Sequence, residues 1–165
     1  MEHVFWITSR AAGITALLAA SAAVTAGLLA PRRRGLRAVH EALSLATLIA
    51  LAVHALALLG DGYLQPSLAD VTIPFVSGYE RLWMGLGIIA GWLFALLGLT
   101  YYVRGRIGVA RWRKLHRYTA VAWVLGIVHA LMMGTDVGTP WFLLAAALAV
   151  LPASALLARR LVPAL

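Results

Sequence analysis

The chain has 165 residues, 62% of them hydrophobic and 12% charged, and a mean hydropathy of +0.88. Water-soluble domains carry about 25% charged residues, so this composition describes one multi-pass membrane domain over residues 1–165. The absence of cysteine excludes disulfides, iron–sulfur clusters and covalent CxxCH haem attachment, and the net charge of +8 sits at the ends of apolar segments, a topology pattern rather than a nucleic-acid footprint.

The first apolar run, 4–30, is rich in alanine and other small residues that let helices approach closely. Glu2 and His3 precede it. It has no basic n-region and no A-x-A cleavage context, so it reads as a retained helix and not as a signal peptide. Pro31 and the run Arg32, Arg33, Arg34 end it. A second helix is predicted over 36–60. Residues 61–80 hold Pro66, Pro74 and three acids; they read as an outer loop with a short interfacial piece around 71–76. The third helix, 81–103, carries Gly85, Gly87, Gly91 and Gly98 for tight packing. A short basic loop over 104–114 leads to the fourth helix, 115–133. Residues 134–139 form a turn, and Pro140 sits at the start of a fifth helix over 141–157, closed by Arg159 and Arg160. The expected fold is an all-α polytopic membrane bundle of five transmembrane helices.

Charge orients the bundle. Twelve of the 14 Lys and Arg residues follow the first, third and fifth helices; only Arg10 and Arg81 lie on the other side, with every acid except Glu41. The positive-inside rule then places the N-terminus outside and the C-terminus in the cytoplasm of a cell (plasma or inner) membrane. The second and fourth helices run in the same direction.

Those two helices carry four of the five histidines: His40 and His54, 14 residues apart, and His116 and His129, 13 residues apart. Ionisable groups inside membrane segments are costly and point to function. The intervals rise roughly 21 and 20 Å, which suits one histidine near each side of a core about 30 Å thick. Side by side, the helices bring His40 level with His116 and His54 level with His129. Each level can hold a flat group between two imidazoles, and haem is the obvious candidate. His54 lies about 40° around the helix from His40, but His129 lies about 140° from His116. The fourth helix is therefore expected to carry a π-bulge or distortion near Gly126. The alternative is histidines that merely join helices.

Other residues have two readings each. Arg37, Arg113 and Arg117 near the inner pair, and Arg10 and Arg81 near the outer pair, can bind haem propionates or snorkel to lipid headgroups. The basic loop can dock an acidic flavoprotein or rest on anionic lipid. Trp123, at intermediate depth between His116 and His129, can pack against haem edges or serve as an ordinary packed side chain. His3 reads as a surface residue. Ser9, Ser21, Ser44 and Thr47 have no acidic partner at catalytic spacing, and Glu41 is too isolated for a proton relay.

On these residues the chain resembles the ferric reductase-like transmembrane family, whose members include the membrane domains of NADPH oxidases and ferric reductases. That family carries two histidines 13 or 14 residues apart on each of two helices, holding two stacked b-type haems. His40, His54, His116 and His129 match the pattern, and so does the sequence WRKLHR around His116. The resemblance covers about 36–157 and implies two non-covalent, bis-histidine haem b groups with these four residues as iron ligands. Many members have six helices, where this chain has five. No flavin or nicotinamide domain follows the fifth helix, so the resemblance implies a separate cytoplasmic-side donor, a flavoprotein reductase or a quinol, and an extracytoplasmic electron acceptor. The expected function is transmembrane electron transfer by a di-haem cytochrome b. The rivals are a quinol-linked cytochrome b subunit of a larger redox complex and a non-redox membrane transporter or scaffold.

Overall fold

In a computed structural model, which describes residues 3–31, 33 and 35–161, all regular secondary structure among the described residues is helical. The elements are α1 (Val4–Leu29), α2 (Leu36–Leu59), α3 (Leu68–Thr72), α4 (Arg81–Leu99), α5 (Arg104–Ile107), α6 (Val109–His116), α7 (Thr119–Met133) and α8 (Pro140–Leu161). Five segments are long and apolar enough to cross a membrane: α1, α2, α4, α6 with α7, and α8. The exposed Leu, Val and Ile side chains along them, such as Leu45, Ile49, Leu56, Leu96 and Leu148, would meet lipid in a bilayer.

The bundle is built from two helix pairs. α1 packs along α2, and α4 along α7; α1 also meets α8 and α7 and joins the pairs. Small residues make the close approach possible, with Ala16, Ala20, Ala23 and Ala26 of α1 buried. The core gathers Ala20, Trp123 and Ala153, surrounded by Val24, Phe94, Ile127, Val150 and Leu157. The Trp123 indole N–H donates to Ser21 Oγ at 2.9 Å, and Ser21 in turn donates to the Leu17 carbonyl. Neither buried polar group is left without a partner.

Several boundaries differ from the sequence expectation. The predicted basic loop 104–114 is mostly helix, α5 and α6, joined at Gly108, whose φ of +89° suits glycine. Arg and Lys are good helix formers; their charge ends a membrane span but not a helix. For the same reason α8 continues through Arg159 and Arg160. α4 ends at Leu99, short of 103, and the interfacial helix lies at Leu68–Thr72, ahead of 71–76. Ser67 and Asp70 form a reciprocal capping box that starts it, and the Ser67 hydroxyl and amide hold the Asp70 carboxyl below its ordinary range. The rest of this loop docks on α4. Trp92 donates to the Thr72 carbonyl at 2.8 Å, and the Phe75 ring lies over Gly85, where a side chain would collide with it.

Candidate functional site

α2 supplies His40 and His54, α6 ends on His116, and α7 carries His129. The imidazoles meet in pairs. The His40 and His116 ring centroids are 6.0 Å apart with planes crossed at 87°; those of His54 and His129 are 6.4 Å apart at 75°. The pairing order requires α2 and the α6–α7 segment to run in the same direction. The backbones of these segments do not pack together, since α2 rests on α1 and touches α3 and α4 lightly. The imidazoles therefore project into space between the two helix pairs.

The spacing can be compared with a metal site. Two metal–nitrogen bonds of about 2.0–2.1 Å, plus about 1.1 Å from each nitrogen to its ring centre, separate opposed imidazole centroids by about 6.3 Å. Both pairs fit. Among the described residues no group of three or more His, Cys, Asp or Glu could hold an ion. A bare zinc ion takes four protein or water ligands; two imidazoles suit an ion that brings its own equatorial donors in a macrocycle.

The neighbouring helices fix the ring orientations. His54 Nδ1 donates to the Ser9 carbonyl at 2.8 Å and lies 3.0 Å from Ser9 Oγ. His40 Nδ1 donates to the Ala23 carbonyl at 2.8 Å, and His129 Nδ1 to the Trp83 carbonyl at 2.9 Å. A carbonyl can only accept, so Nδ1 carries the proton and Nε2 keeps its lone pair. That is the tautomer a metal ligand needs, with the other nitrogen anchored to backbone. One turn beyond each carbonyl stands a glycine. A Cβ on Gly13 would lie 3.0 Å from His54 Nδ1 and one on Gly27 2.9 Å from His40 Nδ1; one on Gly87 would collide with the His129 ring. Each seat is thus a carbonyl followed four residues later by a glycine: Ser9 and Gly13, Ala23 and Gly27, Trp83 and Gly87.

His116 departs from this pattern. The Leu97 backbone of α4 lies beside His116, and four residues on from it the sequence has Tyr101, just past the end of α4, and not a glycine. His116 Nδ1 is buried and, among the described residues, has no partner in hydrogen-bonding geometry. Its ring is stacked on Trp112, with centroids 5.0 Å apart and planes at 27°.

The distortion expected near Gly126 lies elsewhere. The helix breaks at Arg117–Tyr118, immediately after His116, and α7 is regular through Gly126. Around the break the amides of Tyr118, Ala120 and Val121 bond three residues back rather than four, which overwinds the chain. Thr119 Oγ1 donates to the His116 carbonyl at 2.7 Å and satisfies a group the break releases. Two short helical axes bring His116 and His129 to face α2, so no bulge is needed between them.

The remaining candidates separate. Arg37 and Arg117 are exposed at the basic end. Arg81 donates to the Phe75 carbonyl. Arg10 is committed to Asp136 through two hydrogen bonds and lies over the Trp6 ring. Asp136 is only 2% exposed, and a buried carboxylate requires such a partner. Trp123 is 2% exposed, and its ring surface is taken up by α1, α4 and α8 side chains. It is a packing residue with no free face for a cofactor. Sequence reasoning missed the seats on α1 and α4. Their signal was present: Ser9 to Ala23 and Gly13 to Gly27 both repeat the 14-residue interval of His40 to His54.

Comparison with known proteins adds a family. The family described as "Ferric reductase like transmembrane component" matches residues 6–127. The chain belongs to this family. Ferric reductase-like domains are multi-pass membrane domains with a transmembrane redox function and bind haem in general. The matched span includes His40, His54 and His116 and stops two residues before His129. Comparisons with curated proteins and with solved structures gave no match.

Proposed function

We propose that this ferric reductase-like protein is a di-haem b-type cytochrome that carries electrons across the membrane. His40 and His116 hold one haem at the basic end; His54 and His129 hold the other at the acidic end. The observation that carries the reading is the pair of centroid separations, 6.0 and 6.4 Å, with Nδ1 anchored to backbone at three of the four rings. When bound, the haem iron supplies one-electron chemistry between its ferric and ferrous states.

The chain's own work is ligation, orientation and insulation. Neutral imidazoles provide Nε2 at matched depths. The carbonyls of Ser9, Ala23 and Trp83 hold the ring planes and raise the basicity of the ligands. The apolar helices exclude water. The basic end faces the cytoplasm in this reading, which the charge pattern supports, so electrons enter there from a separate donor and leave to an extracytoplasmic acceptor. Arg37 and Arg117, which make no ion pair among the described residues, are the propionate partners at the basic end, and Arg81 is the candidate at the other end.

The test is a dithionite-reduced minus oxidised spectrum of purified protein, with a pyridine haemochrome count. Two haem b per chain are expected. His54→Ala and His129→Ala should each remove the acid-end haem, and His40→Ala and His116→Ala the basic-end haem. Colourless wild-type protein, or one haem per chain, would sink the di-haem reading.

A further inference from the structure

Aromatic rings run without interruption from the basic surface to His116. Tyr102, 67% exposed, meets Tyr101 with centroids 5.5 Å apart. Tyr101 meets Trp112 at 5.9 Å, and Trp112 stacks on His116 at 5.0 Å. All three steps fall within the range of direct ring contact. The run is also held in place. The Arg104 guanidinium lies 3.8 Å over the Tyr101 ring and donates to the Tyr101 carbonyl at 2.7 Å, and the Tyr101 hydroxyl donates to Glu41 on α2 at 3.4 Å.

This run occupies the one seat that breaks the pattern. Four residues after the Leu97 backbone that lies beside His116, the sequence has Tyr101 where the other three seats have a glycine. The His116 ring stacks on Trp112, and His116 Nδ1 and Trp112 Nε1 are both buried without hydrogen-bond partners among the described residues. Such groups are costly to leave unpaired.

The run passes through the basic segment 104–114. Arg106, Arg111, Arg113 and Lys114 are exposed and Arg104 partly so, while Glu41 is the lone acid that the sequence places at this end. A neutral lipid-soluble donor gains little from such a surface. An acidic protein gains both steering and orientation.

We propose that Tyr102, Tyr101 and Trp112 form the electron-entry bridge to the His40–His116 site, and that the neighbouring cations dock an acidic one-electron carrier protein, for which a flavodoxin serves as probe. The proposal rests on the haem reading above. One electron would leave the partner's reduced centre, which is oxidised by one electron, and would pass to a ferric haem held between His40 and His116, reducing it to ferrous. The rings provide electronic contact and are neither oxidised nor reduced. Any proton the partner's centre releases goes to solvent on the partner's side, and no bond forms in this chain.

The test uses the full haem-loaded chain in nanodiscs of neutral lipid, with an acidic flavodoxin as probe. Two quantities are read: binding of oxidised flavodoxin by calorimetry, and the saturating rate of haem reduction by photoreduced flavodoxin divided by the rate with dithionite. Replacing Arg104, Arg106 and Arg111 together with glutamine should weaken binding about tenfold at low salt, as the loss of three exposed charge pairs implies, and high salt should erase the difference. Tyr101→Leu and Trp112→Leu should lower the rate ratio by about tenfold, with binding retained, while Trp112→Phe should restore most of it. Should Trp112→Leu lose haem, Tyr101→Leu, one ring further from the ligand, carries the test. Leucine variants with haem and a wild-type ratio would make the rings mere packing. Wild-type binding by the triple variant would assign the cations to lipid or topology. Wild-type haem reduced by a short-chain quinol but not by flavodoxin would overturn the partner. A wild-type chain without haem would instead defeat the preceding reading, while flavodoxin binding to it would still report on the docking surface.

Discussion

Ser9 has the closest second hold on any of the four histidines. Its carbonyl accepts the His54 Nδ1 proton, its hydroxyl oxygen lies 3.0 Å from the same nitrogen, and that hydroxyl donates to the His54 carbonyl at 3.1 Å. A stronger acceptor at Nδ1 makes imidazole a better donor to ferric iron, which lowers the reduction potential. Ser9→Ala keeps the carbonyl and removes the hydroxyl. The potential of the acid-end haem should rise by about 20–40 mV, the equivalent of roughly 0.5–1 kcal/mol for one hydrogen bond and one electron. Redox titration followed at the haem absorbance measures it; an unchanged potential would mean that the hydroxyl only braces the α1–α2 contact. No sequence rule points to Ser9, because a serine in an apolar helix has many roles, and its partner lies 45 residues away.

At the scale of elements, α1 and α4 act as backing for the ligand helices, and their glycines set the clearance. Gly87→Ala places a methyl group against the His129 ring and should cost the acid-end haem while the basic-end haem remains. Gly91→Ala, with nothing within 4 Å of the added carbon, should keep both; haem stoichiometry in the two purified variants decides the matter. Hydrophobic runs and charge breaks made the five spans legible in the sequence, and the near-equal histidine intervals, 14 and 13 residues, made the two levels legible. The seats were harder to read, since Gly13, Gly27 and Gly87 look like general packing glycines until the opposing ring is known. The break at Arg117–Tyr118 was also hidden. Nothing in the composition of Arg-Tyr-Thr stops a helix, and the azimuth mismatch of His116 and His129 said that a distortion exists but not where.

For the molecule as a whole, charge asymmetry is the strongest signal. The cations at the ends of α1, α4, α6 and α8 gather on one side, and Asp61, Asp70, Glu80 and Asp136 lie on the other. By the positive-inside rule the proposed orientation has the basic side in the cytoplasm. A C-terminal fluorescent protein that matures only in the cytoplasm should be bright, and a C-terminal alkaline phosphatase fusion should be inactive. The opposite result would reverse the direction in which electrons cross the protein, leaving the histidine geometry untouched.

Each histidine pair takes one ring from the α1–α2 half and one from the α4–α7 half, and α2 does not pack on α7. A group bound between the rings is therefore also a strut. Two such struts, at different depths, would hold the halves at a set distance and stop them from rotating against each other. Neither half can complete a site by itself, so a bound cofactor would add to the α1–α7 and α1–α8 contacts that already join the halves. The free energy of ligation then belongs as much to assembly as to electron transfer.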